Sequence, residues 1–442
     1  MVVAEVVGVG IFLSPAEMMR TLGSVSGALV VWLSMGALTA AGALCYAELA
    51  TRYPRAGGGY VFLREAYGPR IAFIYGWMAL LVMDPGIAAA LAIGLSQYLL
   101  VVIGAPTSLL TPLALLSILA FGGLTLAGFS VSAHVMRWSA AAKILGVVLL
   151  LLAGLFHAAG GATLSFASTG ASAPGFPQIA GAIVAAFFAF GGWWELGRMA
   201  GEVREPRKTM PRALLGGVAL VTLIYAMVTM AFVLVTPEGK PGSDDQFVLM
   251  VGSALFGEAA GRVLALMVVI AVAGSLAAVL FGAPRVYLAM ARDGLFPSQV
   301  ARYNERRGTA PGGTLVQMTI ASILVLIGTF NEILGYFVPA AVLFLGLSAA
   351  AVLVLPRPAA DAPVFRVPWH PLPIVLFLTF IAVVLVLFAM GGPRQTALGA
   401  AIVAIGVPVS YLVIPRGSTR RASTSRDGGG STGRGDAEAR RP

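Results

Sequence analysis

The feature that most limits this chain is a succession of apolar runs, each long enough to cross a lipid bilayer. A helix needs roughly 20 apolar residues for that crossing. Runs of this kind follow one another from the first residue to residue 414, with short polar breaks between them. Within each run the apolar residues are continuous and do not alternate, which excludes a membrane β-barrel. Of 442 residues, 58% are hydrophobic and only 11% charged. That is too little polar surface to clothe a soluble domain, for which about 25% charged residues is usual. The fold class that remains is an all-α polytopic membrane protein.

Hydropathy gives twelve spans, near 1–21, 27–50, 71–103, 111–129, 133–157, 178–202, 212–236, 258–291, 313–329, 332–355, 371–390 and 394–414. The first run has no basic leader and no small-residue cleavage site, so it reads as a span and not a signal peptide. Loops after even-numbered spans hold Arg52, Arg55, Arg64 and Arg70, then Arg137, the Arg198–Arg212 group, Arg285–Arg307, and Arg357 with Arg366. The tail adds more arginines. The opposite side holds only Arg20, Lys240, Arg262 and Arg394. The positive-inside rule then puts both termini in the cytoplasm. Segment 415–442 has no apolar side chain larger than alanine and is expected to be a disordered basic cytoplasmic tail. Arginine far outnumbers lysine, a GC-rich pattern that, with the short loops, fits a bacterial inner membrane.

Enzyme chemistry finds no foothold. His134, His157 and His370 fall near span ends without ligand spacing, and no nucleophile–base pair stands out. No catalytic residue, no metal site and no cofactor is therefore expected. The single cysteine, Cys45, lies inside an apolar run, so no internal disulfide forms.

Two spans carry a break at mid-depth. Span 1 contains Gly8-Val9-Gly10-Ile11-Phe12 followed by Pro15, and span 6 contains Phe190-Gly191-Gly192-Trp193-Trp194. Close helix packing through small residues is the plain explanation of either one alone. Paired glycine-interrupted segments at matching places in two halves point instead to a transporter site. The outer half of span 1 would begin near Gly10 and present free N–H groups to a carboxylate. The outer half of span 6 would end near Phe190 and present free carbonyls to an ammonium. Together they describe a site for an α-amino acid zwitterion.

On these residues the chain resembles the amino acid–polyamine–organocation superfamily, and within it the L-type amino acid transporters and their bacterial relatives. GVGIFLSP at 8–15, YAELATRYPRAGGGYVFLREAYG at 46–68, FAFGGWWELGRMAGEVREPRKTMPRA at 188–213 and APRVYLAMARDGLFP at 283–297 carry the likeness. The resemblance implies a leucine-transporter-like, five-plus-five inverted repeat: 1–157 as the first repeat with a truncated helix 1, 178–355 as the second, and 371–414 as two extra helices. It implies that Gly8, Val9, Gly10 and Ile11 offer backbone to the substrate carboxylate. Phe190, Gly191 and Gly192 would offer carbonyls to the amino group, with Trp193 beside the side-chain pocket. Tyr225 matches a family tyrosine near the gate, or else packs at a polar helix contact. Relatives have more residues before the glycine motif than the seven found here, so the true start is expected upstream, or the chain is a fragment.

A lysine at mid-membrane depth costs about 2.5–3.5 kcal/mol on insertion scales and needs a partner. Lys143 lies about ten residues into span 5, roughly 15 Å by helical rise. Either it snorkels to an interface or, as the resemblance implies, its ammonium replaces the sodium ion of sodium-coupled relatives, making transport sodium-independent. Asp84 and Glu195 depart from the L-type pattern. Glu195 has a local structural explanation, since a carboxylate in the first turn of the inner half of helix 6 is favoured by the dipole. The alternative is that one of them faces the pocket, where it favours a cationic side chain or carries a proton. The expected function is sodium-independent secondary transport of amino acids across the cytoplasmic membrane by alternating access, as exchanger or proton-coupled carrier. A polyamine or organic-cation permease and a carrier-fold amino acid sensor are the alternatives. The expected partners are the amino acid and the bilayer. The loop at 104–110 lacks the cysteine that links animal relatives to a heavy chain, so no such subunit is expected, and no nucleic acid.

Overall fold

The computed structural model describes residue 6, residue 18, and residues 21–159, 174–235, 258–297, 302–328, 330–359 and 361–414. The described chain is helical throughout, with one isolated bridge between Asn304 and Thr309. Its helices are α1 (Val25–Arg52), α2 (Gly59–Tyr67), α3 (Pro69–Met78), α4 (Asp84–Ile103), α5 (Leu110–Ala127), α6 (Phe129–Ala159) and α7 (Phe176–Ala189). After these come α8 (Pro206–Val235), α9 (Glu258–Gly282), α10 (Pro284–Arg292), α11 (Pro311–Ile327), α12 (Phe330–Val354), α13 (Leu372–Gly391) and α14 (Pro393–Val413). Among the described residues, eight helical stretches are long and apolar enough to cross a membrane. The chain is therefore a multi-pass membrane protein.

Helix identity follows from composition. α13 reads LPIVLFLTFIAVVLVLFAMG, apolar on every face. Such a helix satisfies its own backbone groups and is stable only where nothing competes by hydrogen bonding, which is to say in lipid. α1 starts at Ser24, whose side chain accepts from the Gly27 N–H. α1 lies along α8, and α9 lies along both α4 and α6. Among the described residues, packing between helices buries the charged side chains of Glu48, Asp84, Lys143, Arg198 and Arg285. Arg198 is among them. The sequence assigned it to the loop after span 6, but it is buried in the helix interior. Hydropathy counts charge and takes no account of partners, and Arg198 has two.

Two irregularities shape the middle of the bundle. α3 and α4 form one rod joined by a π-helical turn, Ala79–Met83. Pro85 has no N–H to give to the carbonyl one turn back, so the helix widens there. The other irregularity follows α7. The chain leaves the α-helix at Phe190, turns through Gly191 and Gly192, and resumes as a 3-10 helix over Trp193–Glu202. Gly192 has φ +103, a conformation that a side chain makes costly.

Candidate functional site

The turn at 190–192 sets out backbone groups in a definite order. The Phe190 N–H still reaches the Ala186 carbonyl at 3.0 Å, and the Gly191 N–H folds back to the Phe188 carbonyl at 3.0 Å. The Glu195 N–H closes the first 3-10 turn on the Gly192 carbonyl at 3.0 Å. The carbonyls of Phe190 and Gly191 meet no donor among the described residues. Acceptors left open at a helix end call for a donor from outside the helix, and an ammonium supplies one. Gly8, Val9, Gly10 and Ile11, expected opposite them, lie outside the described residues.

Tyr225 of α8 ties this break to the segment before it. Its hydroxyl is 2.6 Å from the Ala189 carbonyl and 3.0 Å from the Val6 carbonyl. One proton serves one of these acceptors at a time. The ring is fully buried against Trp32, at 4.8 Å between centroids, and against Phe190, at 5.2 Å. Trp32 in turn donates its indole N–H to Thr229 at 2.8 Å. Trp193 packs in a second aromatic group with Tyr46, Trp194 and Phe377.

Lys143 is only 2% exposed, so it does not snorkel to an interface. Its ammonium donates to the Ser275 hydroxyl of α9 at 2.9 Å. The helices meet closely here, since a Cβ on Gly274 would lie 1.8 Å from the Ser139 hydroxyl.

Asp84 and Glu195 belong to one assembly, with Arg198 between them. Arg198 Nη2 donates to Asp84 Oδ1 at 2.8 Å, and its Nε lies 2.8 Å from Glu195 Oε2. The Tyr287 hydroxyl donates to the other Asp84 oxygen at 2.9 Å. The widened turn of the α3–α4 rod comes immediately before Asp84. The cluster thus joins α4, the 3-10 helix and α10. Local spacing could have revealed the Glu195–Arg198 pair, three residues apart. Nothing local pointed to Asp84, which is 114 residues from Arg198.

The segment Arg55–Gly59 grips the 3-10 helix from the opposite side. The Gly57 N–H donates to the Arg198 carbonyl at 3.1 Å. A Cβ on Gly58 would stand 2.8 Å from the Arg198 nitrogen, and one on Gly201 would stand 2.9 Å from the Ala56 nitrogen. Backbone touches backbone here, which gives the run of glycines at 57–59 a physical purpose. Beyond this grip a charged vestibule of about 490 Å³ opens, lined by Arg55, Arg64, Glu202, Arg285, Arg292 and Asp293 among others. Arg285 Nε pairs with Glu202 at 2.7 Å, and Arg64 pairs with Asp293. Tyr60 donates to Asp293 at 2.8 Å. Burial, and then that carboxylate, push its phenol well above the ordinary tyrosine range, so it remains a donor.

The family model described as amino acid permease matches residues 1–412. The rat large neutral amino acids transporter small subunit 2 is 29% identical over 93% of this chain and 78% of its own length. The mouse asc-type amino acid transporter 1 is 29% identical over 93% of this chain and 79% of its own. The mouse b(0,+)-type amino acid transporter 1 is 28% identical over 89% and 80%.

Proposed function

The chain belongs to the amino acid permease family, and from that premise we propose that it is a secondary carrier of amino acids working by alternating access. The observation that carries this reading is the break at 190–192, where the Phe190 and Gly191 carbonyls stand open, with Phe190 buried against Trp32 and Tyr225 and Gly191 half-buried. An α-ammonium fits such acceptors. Gly8, Val9, Gly10 and Ile11 are proposed to take the carboxylate. Phe190, Gly191 and Gly192 take the amino group, and Trp193 bounds the side-chain pocket. Tyr225 holds the two breaks together as a gate-side strut.

The architecture we propose has twelve spans in a five-plus-five inverted repeat, 1–157 and 178–355, with 371–414 as two added helices and 415–442 as a basic tail. Both termini are cytoplasmic in this reading, and the vestibule faces the cytoplasm. Lys143, buried against Ser275, stands where a coupling cation would otherwise be needed, and transport is sodium-independent. Arg198 neutralises Asp84. Cys45 is the chain's only cysteine and is buried, so no disulfide-linked heavy subunit is proposed.

The test is counterflow. Purified protein in liposomes preloaded with unlabelled amino acids is diluted into a uniformly labelled mixture of the standard amino acids. A carrier accumulates label transiently against the protein-free control. No accumulation above that control would sink the reading in favour of a sensor.

A further inference from the structure

The cluster around Arg198 does not balance. It has two carboxylates, Asp84 and Glu195, and one guanidinium. Asp84 is complete: each of its oxygens has a donor, Arg198 on one and Tyr287 on the other, and its side chain is 2% exposed. Glu195 shares the remaining face of Arg198 through one oxygen, and its side chain is 15% exposed. The surplus negative charge therefore rests on Glu195, which is also the most exposed of the three.

A surplus buried charge is costly unless it is matched. None of the other groups facing Glu195 brings a second positive charge. Asp84 comes from α4 and is already neutralised, Tyr75 from α3 and Tyr46 from α1 are phenols, and Trp194 supplies a hydrogen bond but no charge. Among the described residues no group of His, Cys, Asp and Glu is arranged to hold a metal ion. A proton on Glu195 would make the cluster neutral without any further ligand.

The position links this proton to transport. Glu195 closes the first turn after the Gly192 break, so it sits one turn from the open carbonyls. Its helix packs on α1 and α8 and meets the Gly57–Gly58 backbone, and it reaches α4 through the Arg198–Asp84 pair and α10 through Arg285–Glu202. Any movement of the 3-10 helix away from α4 would rearrange the Arg198–Asp84 pair. With Glu195 ionised, that movement rearranges a net charge in a dry interface. With a proton on Glu195 the trio is neutral.

We infer that Glu195 is the proton-binding residue of a proton–amino acid symport cycle, with Arg198 and Asp84 as the fixed ion pair that leaves it one charge over. The step is a simple transfer: the carboxylate gains a proton from water on the outer side, and the acid returns it to water on the inner side. This rests on the carrier reading above. It also predicts that exchange, in which the carrier returns loaded and protonated, runs without a pH gradient.

The experiment uses the full chain in proteoliposomes and the same labelled mixture. Two quantities are read, counterflow at equal pH and accumulation driven by an outside-acid gradient. With one proton per amino acid, a gradient of one pH unit supports up to about tenfold accumulation. In Glu195→Gln the ratio of gradient-driven accumulation to counterflow is expected to fall to the gradient-free level. In Glu195→Asp the gradient response persists. Absence of counterflow in the unaltered protein would defeat the carrier reading itself. Counterflow with no gradient response in the unaltered protein, or an undiminished response in Glu195→Gln, would overturn the proton assignment alone. If Glu195→Gln is lost on purification, Arg198→Lys supplies the second variant. It keeps the cluster's charge count, so its gradient response must survive, and loss of that response at intact counterflow would count against the assignment.

Discussion

Replacing Arg198 with methionine removes the one positive charge between Asp84 and Glu195. Both carboxylates lie 2.8 Å from it, and the Arg198 and Asp84 side chains are 4% and 2% exposed. At an effective dielectric of about 20, unit charges about 4 Å apart attract by about 4 kcal/mol. Desolvation takes back much of that, so the intact trio adds little net stability. Removal of one partner is different, because it strands the others. Breaking a buried pair in this way costs about 3–5 kcal/mol. Arg198→Met is therefore expected to destabilise the protein by about that much. The triple variant Asp84→Asn, Arg198→Met, Glu195→Gln has no charge to strand and should recover most of the loss. Thermal unfolding in detergent, followed by the fraction that still elutes as a single species, ranks the three proteins. The reasoning fails if Arg198→Met melts with the unaltered protein, or if the triple variant melts as low as the single one.

Other substitutions probe other contacts. Tyr225→Phe keeps the ring packed against Trp32 and Phe190 but leaves the Ala189 carbonyl without its donor, a loss of about 1–3 kcal/mol. It should lower the melting temperature and raise the substrate concentration needed for half-maximal counterflow. Gly58→Ala meets the Arg198 backbone at 2.8 Å, whereas Gly104→Ala, also at positive φ, meets nothing within 4 Å. Gly104→Ala should cost about 1 kcal/mol for its backbone conformation alone, and Gly58→Ala distinctly more, as the two melting curves will report. Exchanging sodium for choline outside proteoliposomes should leave the uptake rate of the unaltered protein unchanged. A steep rise with sodium would remove Lys143 from the role given to it.

The membrane-crossing helices were readable because lipid removes competing hydrogen bonds and makes apolar length decisive. The run at 27–50 falls on α1, Val25–Arg52, and that at 111–129 falls on α5, Leu110–Ala127. The glycines at 191–192 were readable as a break, since glycine relieves the positive φ that a turn at this depth needs. Hydropathy was silent on the geometry that follows. It could not tell that the stretch after Gly192 is 3-10 and not α, nor that the Gly57–Gly58 backbone, far away in sequence, lies against it. The same blindness misplaced Arg198. Its partner Asp84 arrives from another helix behind a proline-induced widening, and only packing brings them together. Glu195 is legible in the sequence as a departure, but its excess charge becomes visible only once Asp84 is seen to be neutralised.

Peptide groups at two helix breaks are proposed to hold both ends of a zwitterion. The most direct measurement compares melting-temperature shifts given by free amino acids, by their N-acetyl derivatives and by their carboxamides. The account predicts stabilisation by the free forms of the transported amino acids and none by either blocked form. Equal stabilisation by an N-acetyl derivative would contradict it, because that molecule has no ammonium for the Phe190 and Gly191 carbonyls.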